Sequence, residues 1–493
     1  MMVSITTRAA LEPLKVQIGG EPSTLDPARA LDQYAYGIHH NVIDGLFKQD
    51  IDGKLMNALC ESYTVSKDGL VYRFKIKSAK WSDGKAVEID DFVTGLRYAL
   101  SPKTASPTAD FFFAIQNARD VYQGKLPVEK LGVTREGNEL VVRLEQPDAS
   151  FLMELTLASA GPLRKDKLDA NGGAWDWKFP VTGDYIISEY KPATIIGLSP
   201  NPHRPTVAKR PVQIRVFTEE TTAMNLLESG HLDIISTVTS TEVARLKKAD
   251  LIKTAPSTSV FYVAFNHEKA PFNDLDWRKA VAASADRIGT AKLLLGDEPV
   301  TSLLPSTLKG SLTFKDLPFQ EAQKKVRDAI SKSPKKPTVR LAYGNSAFTK
   351  TVVEKLQHDL KLALGLTIEL EPMELKTLLA RLKTDPPEMY FLGMSAVFND
   401  PSNHLNAFSS SVQPNFSRYV SQAYETTLQK VKTSRDEKER TRAIERAQEI
   451  LVREDVALIP LIQKVQIFGV SKKVKNFRVS PNKALFLREI EKH

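Results

Sequence analysis

The order of secondary structure in residues 338–392 constrains the fold of this chain more than any other feature of its sequence. Three short β-rich runs lie here, at Thr338–Ala342, Thr367–Leu370 and Met389–Leu392. Between the first two, the apolar residues of Phe348–Leu364 recur close to helical spacing. Strands that alternate with helices form parallel or mixed sheets with helices on their faces. The order therefore predicts an α/β fold.

The same alternation continues through the rest of the chain. Apolar and polar residues alternate at Val71–Ile76 and Leu140–Leu144, which predicts two strands. Asp90 and Asp91 suit the first turn of a helix predicted over Ile89–Leu100, because their carboxylates can accept hydrogen bonds from unpaired N–H groups. Further predicted elements are strands at Val212–Phe217 and Ser259–Phe265 and a helix at Asp436–Arg453.

The charge is mildly basic and spread along the chain. Its 493 residues, enough for two to four domains, include 68 Lys and Arg against 59 Asp and Glu, a net charge of +9. Signs alternate in stretches such as Lys432–Arg442, which is typical of a solvated helix face. A nucleic-acid-binding protein would cluster its basic residues, so we expect no nucleic-acid partner. No apolar run approaches the roughly 18 residues that a membrane helix needs.

Signatures of common enzymes are missing from the sequence. It has no Gly-x-x-x-x-Gly-Lys-Ser/Thr loop for phosphates, no Gly-x-Gly-x-x-Gly motif after a strand and no His-Glu-x-x-His zinc motif. The single cysteine, Cys60, cannot close an intramolecular disulfide and is interpreted as a small buried residue. His404 is a lone histidine in a predicted loop, which is too little for a metal site. We therefore expect no enzymatic activity, no cofactor and no metal.

One ordered set of segments points to a known family. The segments are Glu21–Pro27, Asp44–Phe47, Asp52–Lys54, Ala58–Asp91, Glu219–Ile234, Pro271–Arg287, Asn399–Pro401, Arg440 and Ile459–Leu461. Taken together, they resemble the large extracytoplasmic solute-binding proteins of the peptide/nickel class, family 5, which serve ABC importers. Within that family the resemblance is to the oligopeptide binders. Most of these residues are expected to build the scaffold, so they identify the architecture and not the ligand.

The resemblance implies a two-lobed periplasmic-binding-protein fold of the α/β class, with mixed sheets, a hinge between the lobes and an extra subdomain on the first lobe. The implied ranges are 1–43, 160–257 and 463–493 for the first lobe, 44–159 for the extra subdomain and 258–462 for the second lobe. Such proteins enclose their ligand between the lobes by hinge closure. The implied partners are a peptide or peptide-like ligand and a membrane ABC permease.

The resemblance also implies a monomer in the periplasm or another extracytoplasmic compartment. Met1–Leu14 has no continuous apolar stretch of the kind that export signals contain. Taken alone, this segment leaves two alternatives, a cytosolic protein or an export signal that has been replaced, and the resemblance favours the second.

The positions that anchor the ligand depart from the family pattern. Oligopeptide binders carry an Ala-Asp-Tyr-Asn-Glu-Pro-like segment whose acid pairs with the α-amino group of the peptide. The matching segment here is Ala396–Pro401, with Val397 at the position of the acid. Phe391 aligns with an arginine of those proteins, and Met394-Ser395 with a Trp-Cys pair. The anchors of a zwitterionic peptide have therefore been replaced by uncharged groups.

Other aligned positions complete the expected site. Asp32 lies next to Leu31, which aligns with a glutamate, so a slip of one residue would restore that acid. Tyr262 and Phe111 retain aromatic residues of the family pattern. The resemblance implies that the ligand contacts Asp32, Gln33, Phe111, Tyr262, Phe391, Gly393, Met394, Ser395, Val397 and Asn399.

These substitutions leave several interpretations of the ligand open. The protein binds a peptide whose N-terminus is blocked or lies elsewhere, or it binds a more apolar or uncharged solute; we favour these two. It could instead have lost transport and act as a sensor or scaffold. In every case the backbone of Phe391–Ser395 can pair with an extended ligand by strand addition. A peptide hydrolase is less favoured, because Cys60 is near no candidate base in sequence except His39 and His40.

Overall fold

The structure is a computed structural model that describes residues 11–204, 210–238, 240–294, 296–315, 318–412 and 415–493, without the side chains of residues 240 and 241. The first ten residues, part of the segment searched for an export signal, lie outside the described residues. None of the described helices is both long and apolar enough to cross a membrane.

The chain divides into two compact units. Unit 1 contains the described residues up to Pro147, together with Phe151–Ala255 and Ile467–His493. Unit 2 contains Asp148–Ser150 and Pro256–Gln466. The finer division of the chain into a first lobe, an extra subdomain and a second lobe remains a prediction.

The strands are numbered in chain order. They are β1 (Leu14–Ile18), β2 (Phe47–Gln49), β3 (Leu55–Asn57), β4 (Cys60–Val65), β5 (Val71–Ile76), β6 (Val133–Glu136), β7 (Glu139–Arg143), β8 (Tyr185–Lys191), β9 (Ile195–Pro200), β10 (Val212–Val216), β11 (Ile234–Ile235), β12 (Ile252–Phe265), β13 (Glu298–Pro299), β14 (Thr338–Gly344), β15 (Thr367–Met373), β16 (Met389–Met394), β17 (Leu458–Val470), β18 (Val474–Lys475) and β19 (Glu491–Lys492).

The α-helices follow the same numbering. They are α1 (Gln33–Val42), α2 (Ile89–Ala99), α3 (Ala118–Tyr122), α4 (Phe151–Glu154), α5 (Lys165–Ala170), α6 (Glu220–Glu228), α7 (Ser240–Lys248), α8 (Leu275–Ser284), α9 (Arg287–Lys292), α10 (Gln320–Lys332), α11 (Ala347–Leu364), α12 (Leu375–Thr384), α13 (Ser402–Leu405), α14 (Gln422–Thr433) and α15 (Glu437–Glu449). Short 3₁₀ turns include Ala109–Phe112, and a π-helical turn at Ile450–Glu454 continues α15.

Unit 1 is built on a mixed sheet. Strand β1 pairs in parallel with β10 and β11, and β9 extends the sheet by antiparallel pairing with both β10 and β8. The same unit contains a separate antiparallel sheet in the order β4-β5-β7-β6 and the hairpin of β2 and β3. The turn between β4 and β5 holds Gly69 at a φ of 78°, which suits the Asp68-Gly69 dipeptide at this position.

The strand pairings in unit 2 are also mixed, and they are covered on both faces. Strand β14 lies between β15 and β16 and is parallel to both, and β16 is antiparallel to β12. Alternate residues of β16 enter two different hydrophobic cores: Met389 and Phe391 enter one, and Tyr390 enters the other. Helices on both faces are expected for parallel strands, because such strands carry apolar side chains on either side.

The elements predicted from periodicity are confirmed, most with small shifts of their ends, but β12 begins at Ile252, seven residues before the predicted Ser259. Val71–Ile76 matches β5 at both ends, and the predicted helix Phe348–Leu364 begins one residue early as α11. Gly365 ends α11 with a φ of 74°. Helix α2 begins at Ile89 as predicted, with Asp90 and Asp91 in its first turn; Glu88 is its N-cap, and Asp91 accepts a hydrogen bond from the Glu88 N–H at 2.9 Å. The prediction of an α/β fold with mixed sheets is confirmed.

A buried ion pair holds the loop that follows β16. Arg440, on α15, donates hydrogen bonds of 2.9 and 2.8 Å to the two carboxylate oxygens of Asp400. The Ser402 N–H donates a third at 2.9 Å. Burial alone would raise the pKa of Asp400, but the charge and hydrogen bonds of Arg440 and Ser402 more than offset it and hold that pKa below its usual value. The ion pair therefore fixes this loop to the helical layer of unit 2.

Cys60 lies at the start of β4 with no exposed surface. Its Sγ is 3.4 Å from the Ser62 carbonyl oxygen, and burial, partly offset by Lys77, raises the pKa of the thiol to about 11. The thiolate is the nucleophilic form of cysteine, so a buried thiol with a raised pKa is a poor nucleophile at neutral pH. This environment agrees with the interpretation of Cys60 as a small buried residue.

We expect Arg440→Met to lower the free energy of unfolding by about 3–5 kcal/mol, because it leaves the Asp400 carboxylate buried without its cation. The control is Arg446→Met on the same helix, whose exposed pair with Glu454 is worth about 0–1 kcal/mol. Urea unfolding of both variants measures the difference. Equal losses of unfolding free energy in the two variants would contradict a larger contribution from the buried pair of Arg440 and Asp400.

The loss caused by Arg440→Met should also depend on pH. The native pKa of Asp400 is lowered, so the ion pair contributes fully above the ordinary aspartate pKa of about 3.9 and less as the pH falls through the native value. The gap in unfolding free energy between wild type and variant should therefore narrow below about pH 4. A gap that widens on acidification would contradict this assignment.

We expect iodoacetamide to leave Cys60 unmodified in the native protein at pH 8 and to alkylate it in urea, because only unfolding exposes the thiol and restores its ordinary pKa. Mass spectrometry of the intact chain counts the added groups. The matched variant Cys60→Ala should fold and lose about 1 kcal/mol for the volume removed. Equally fast labelling of the native and unfolded chains would show that the thiol is accessible.

Candidate functional site

The carboxyl ends of the parallel strands in unit 2 form the candidate site. Strand β14 ends at Gly344, where the chain turns into α11, and β16 ends at Met394, where a loop begins. Ligands of open α/β sheets bind outside the carboxyl ends of the strands. Predicted ligand residues lie at or next to this edge: Tyr262, Phe391, Gly393, Met394, Ser395, Val397 and Asn399.

The register of β12 against β16 places these residues opposite one another. Tyr262 lies opposite Leu392, Phe261 opposite Gly393, and Val260 opposite Met394. On its other side, β16 pairs with β14 only as far as Phe391, opposite Tyr343. Among the pairings described, the residues of β16 after Phe391 therefore pair with β12 on one side and with no strand on the other.

Two predicted ligand residues are core residues of unit 2. Phe391 stacks against Phe261 with ring centroids 5.7 Å apart, in the core on one face of the sheet. Tyr262 packs edge-on against Phe408 at 5.5 Å, in the core on the other face. Both side chains are at least 95% buried, so a ligand would meet little of their surface. Their role in ligand binding remains a prediction.

The end of β16 is more open. Gly393 is exposed, and the ring of Phe261 occupies the space that a Cβ at this position would need. Met394 is half-buried, while Ser395 is exposed and its hydroxyl lies 2.6 Å from that of Ser259. This stretch thus presents backbone and small or flexible side chains at the edge of the sheet.

The loop after β16 contains no uncommitted acid near Val397. Val397 and Asn399 are half-buried, and the Val397 N–H donates a hydrogen bond of 3.1 Å to Asn403. Asp400, which could have replaced an acid at Val397, has both carboxylate oxygens bound by Arg440. An ammonium group placed beside Val397 would therefore find no free carboxylate on this loop.

The remaining predicted residues belong to unit 1. Asp32 is the N-cap of α1, and its carboxylate accepts hydrogen bonds of 2.6–3.0 Å from Ser23, Tyr34 and Ala35. Burial opposes ionisation of Asp32, but these bonds outweigh it and lower its pKa. Gln33 is exposed and accepts a hydrogen bond of 2.6 Å from Lys483.

Phe111 is half-buried in the 3₁₀ turn Ala109–Phe112. The contribution of Asp32, Gln33 and Phe111 to ligand binding remains a prediction.

His404 is a structural residue of the candidate site. It is fully buried on α13, and its Nε2 lies 3.1 Å from the Thr258 carbonyl oxygen. Burial lowers the pKa of His404 to about 4, so the imidazole is neutral at physiological pH. No group of three or more potential metal-ligating residues occurs among the residues described.

Sequence reasoning missed a cation beside the same edge. Lys464 lies on β17 with its Nζ 4.1 Å from the ring centroid of Phe348 and 2.7 Å from a carboxylate oxygen of Asp297. Lys464 is the only charged residue between Leu458 and Val470. A lone charge in an apolar strand was the signal that could have revealed it.

Comparisons with known proteins agree with this architecture. The family described as bacterial extracellular solute-binding proteins, family 5 Middle, matches residues 54–416. Two relatives from Escherichia coli are each 27% identical: a probable deoxycholate-binding periplasmic protein, YgiS, and the periplasmic oligopeptide-binding protein OppA. The alignments cover 90% and 92% of this chain and 86% and 88% of the relatives.

Solved structures show the same fold. The Escherichia coli murein tripeptide binding protein MppA superposes with a TM-score of 0.80 at 24% identity, covering 98% of both chains. The Haemophilus influenzae OppA complex with the peptide RPPGFSPFR superposes with a TM-score of 0.78 at 23% identity, covering 98% of this chain and 99% of that one. The family match spans most of the chain, and it agrees with the resemblance seen in the sequence motifs. The chain belongs to family 5 of the bacterial extracellular solute-binding proteins.

Proposed function

We propose that this protein binds short peptides or peptide-like solutes outside the cytoplasm and delivers them, as a monomer, to an ABC permease in the membrane. The relatives named for oligopeptides and murein peptides support a peptide ligand. In this function the protein has no catalytic step, and its chemistry is selective binding and release.

The observation that carries the proposal is the half-paired end of β16. Strand β12 pairs with β16 up to Met394, whereas β14 stops pairing with it at Phe391. An extended peptide can add to such an edge by main-chain hydrogen bonds, which are independent of the ligand sequence. Gly393 and Ser395 are exposed at this edge, and neither has a large side chain.

The proposed ligand is a peptide whose amino terminus carries no charge, or whose charged amino terminus is not recognised. An ammonium taken out of water without a counter-charge costs several kcal/mol. Val397 supplies no counter-charge, and Asp400 and Asp32 are already engaged by Arg440 and by the α1 N-terminus, respectively. Recognition of the ligand therefore depends on its backbone and on its other end.

Identifying the ligand that is bound in cells tests the proposed function directly. Protein isolated from the extracytoplasmic fraction of expressing bacteria should release peptides when it is denatured, and mass spectrometry of the released molecules should identify them. Buffer and an unrelated exported protein, treated identically, provide the background. Release of a steroid acid such as deoxycholate, with no peptide above background and no calorimetric binding of added peptides, would overturn the proposal.

We expect Val397 to determine whether the protein prefers a ligand with a charged or with a blocked amino terminus. Wild type should bind N-acetylated Ala-Ala-Phe at least as tightly as the free-amine tripeptide, because it has no acid for the ammonium. Val397→Asp should reverse this preference by more than tenfold, about 1.4 kcal/mol. Isothermal titration calorimetry measures both affinities, and Val397→Asn is the uncharged control of similar size to aspartate. Weakening of wild-type binding by acetylation would contradict this role of Val397.

A further inference from the structure

Lys464 is held in a fixed place beside the carboxyl ends of the strands in unit 2. Its ammonium lies 4.1 Å from the ring centroid of Phe348 and donates a hydrogen bond of 2.7 Å to Asp297. The other Asp297 oxygen accepts a bond of 3.0 Å from the Val465 N–H. Two different contacts thus restrain a lysine side chain that would otherwise be mobile in solution.

The exposed part of this ion pair is the cation. The Lys464 side chain is 35% exposed, while that of Asp297 is only 3% exposed. An ammonium has three N–H donors, and Asp297 takes one of them. The pair therefore presents hydrogen-bond donors to an incoming group, and the buried Asp297 has both oxygens occupied.

Phe348 begins an aromatic surface that extends from Lys464 to the end of β16. The rings of Phe348 and Phe261 meet edge to face, with centroids 4.7 Å apart. The ring of Phe261 in turn lies over the Cα of Gly393. Both rings are only partly buried, so each retains some exposed surface. We call Phe261 and Phe348, together with the adjacent Gly393, the aromatic shelf.

We propose that the aromatic shelf and Lys464 together bind the C-terminal residue of the peptide: its apolar side chain packs on the shelf and its carboxylate pairs with Lys464. This inference rests on the proposed peptide-binding function and names the class of peptide. The preferred ligands are short peptides that end in an apolar or aromatic residue with a free carboxylate.

One alternative occupant of the same surface, a basic side chain of the ligand, is disfavoured by the charges there. A basic side chain would find the cation–π position over Phe348 already filled by Lys464 and would be repelled by it. It would also find no free oxygen on Asp297. A carboxylate, by contrast, gains a charge-assisted hydrogen bond from Lys464, which is about twice as strong as a neutral one.

The test compares three N-acetylated tripeptides by calorimetry: Ala-Ala-Phe with a free carboxylate, its C-terminal amide, and Ala-Ala-Ser with a free carboxylate. For wild type we expect both the amide and the serine peptide to bind at least tenfold more weakly than the first peptide. Lys464→Met should abolish the difference between acid and amide, while Lys464→Arg should keep it. Phe348→Leu should reduce the difference between the phenylalanine and serine peptides.

A matched control is the exposed pair of Lys269 and Asp385, also in unit 2, in which the lysine side chain is 31% exposed. Lys269→Met should leave all three affinities unchanged. If Lys464→Met fails to fold because Asp297 loses its partner, the double variant Lys464→Met with Asp297→Asn removes both charges and should show the same loss of preference.

The outcomes separate this inference from the proposed function. Binding of all three peptides with equal affinity by wild type would overturn the role of Lys464 and the shelf, while the peptide-binding function would stand. Retention of the acid preference in Lys464→Met and in the double variant would also overturn it. Failure of every peptide, acetylated or free, to bind would instead refute the proposed function.

Discussion

The burial of both faces of the sheet in unit 2 is the constraint on which the candidate site depends. Along β16, Phe391 enters one core and Tyr390 the other, so neither face of the strand is free for a ligand. A strand buried in this way can offer only its ends and its unpaired edge. The proposed site therefore lies at the last residues of β16, beyond the point where β14 stops pairing with it.

The same constraint explains why so few charges are available there. A charge close to two hydrophobic cores must be paired, because desolvation of an isolated ion costs several kcal/mol. Asp400 is paired with Arg440, and His404 stays neutral because burial lowers its pKa to about 4. Lys464 is not fully buried: its ammonium lies over the ring of Phe348, and 35% of its side chain is exposed.

The sequence predicted the elements well because local periodicity decides them. The apolar spacing of α11 and the alternation in β5 are visible in any window of a dozen residues, and the structure places both within one residue of their predicted limits. The N-cap of α2 was less predictable. Glu88 and Asp91 act reciprocally there, and Asp91 also accepts a bond from Trp81, which sequence spacing does not reveal.

The site was only partly predictable, for a physical reason. Family alignment assigns a role to a position, but burial depends on which face of the sheet the residue occupies. Phe391 and Tyr262 align with ligand positions, yet their side chains are at least 95% buried in the two cores. Lys464 was not among the residues that the family resemblance implied, and its contacts are with Phe348 and Asp297, which are more than 100 residues away along the chain.

Replacing charged anchors with apolar surface changes what controls selectivity. Burying a phenylalanine-sized group contributes about 1.5–3 kcal/mol and depends little on its orientation, because the hydrophobic effect is not directional. A buried ion pair, in contrast, roughly breaks even in free energy but imposes strict geometry. The proposed site, with an aromatic shelf and one tethered cation, would therefore draw affinity from apolar contact, and Lys464 would set the direction in which the peptide is bound.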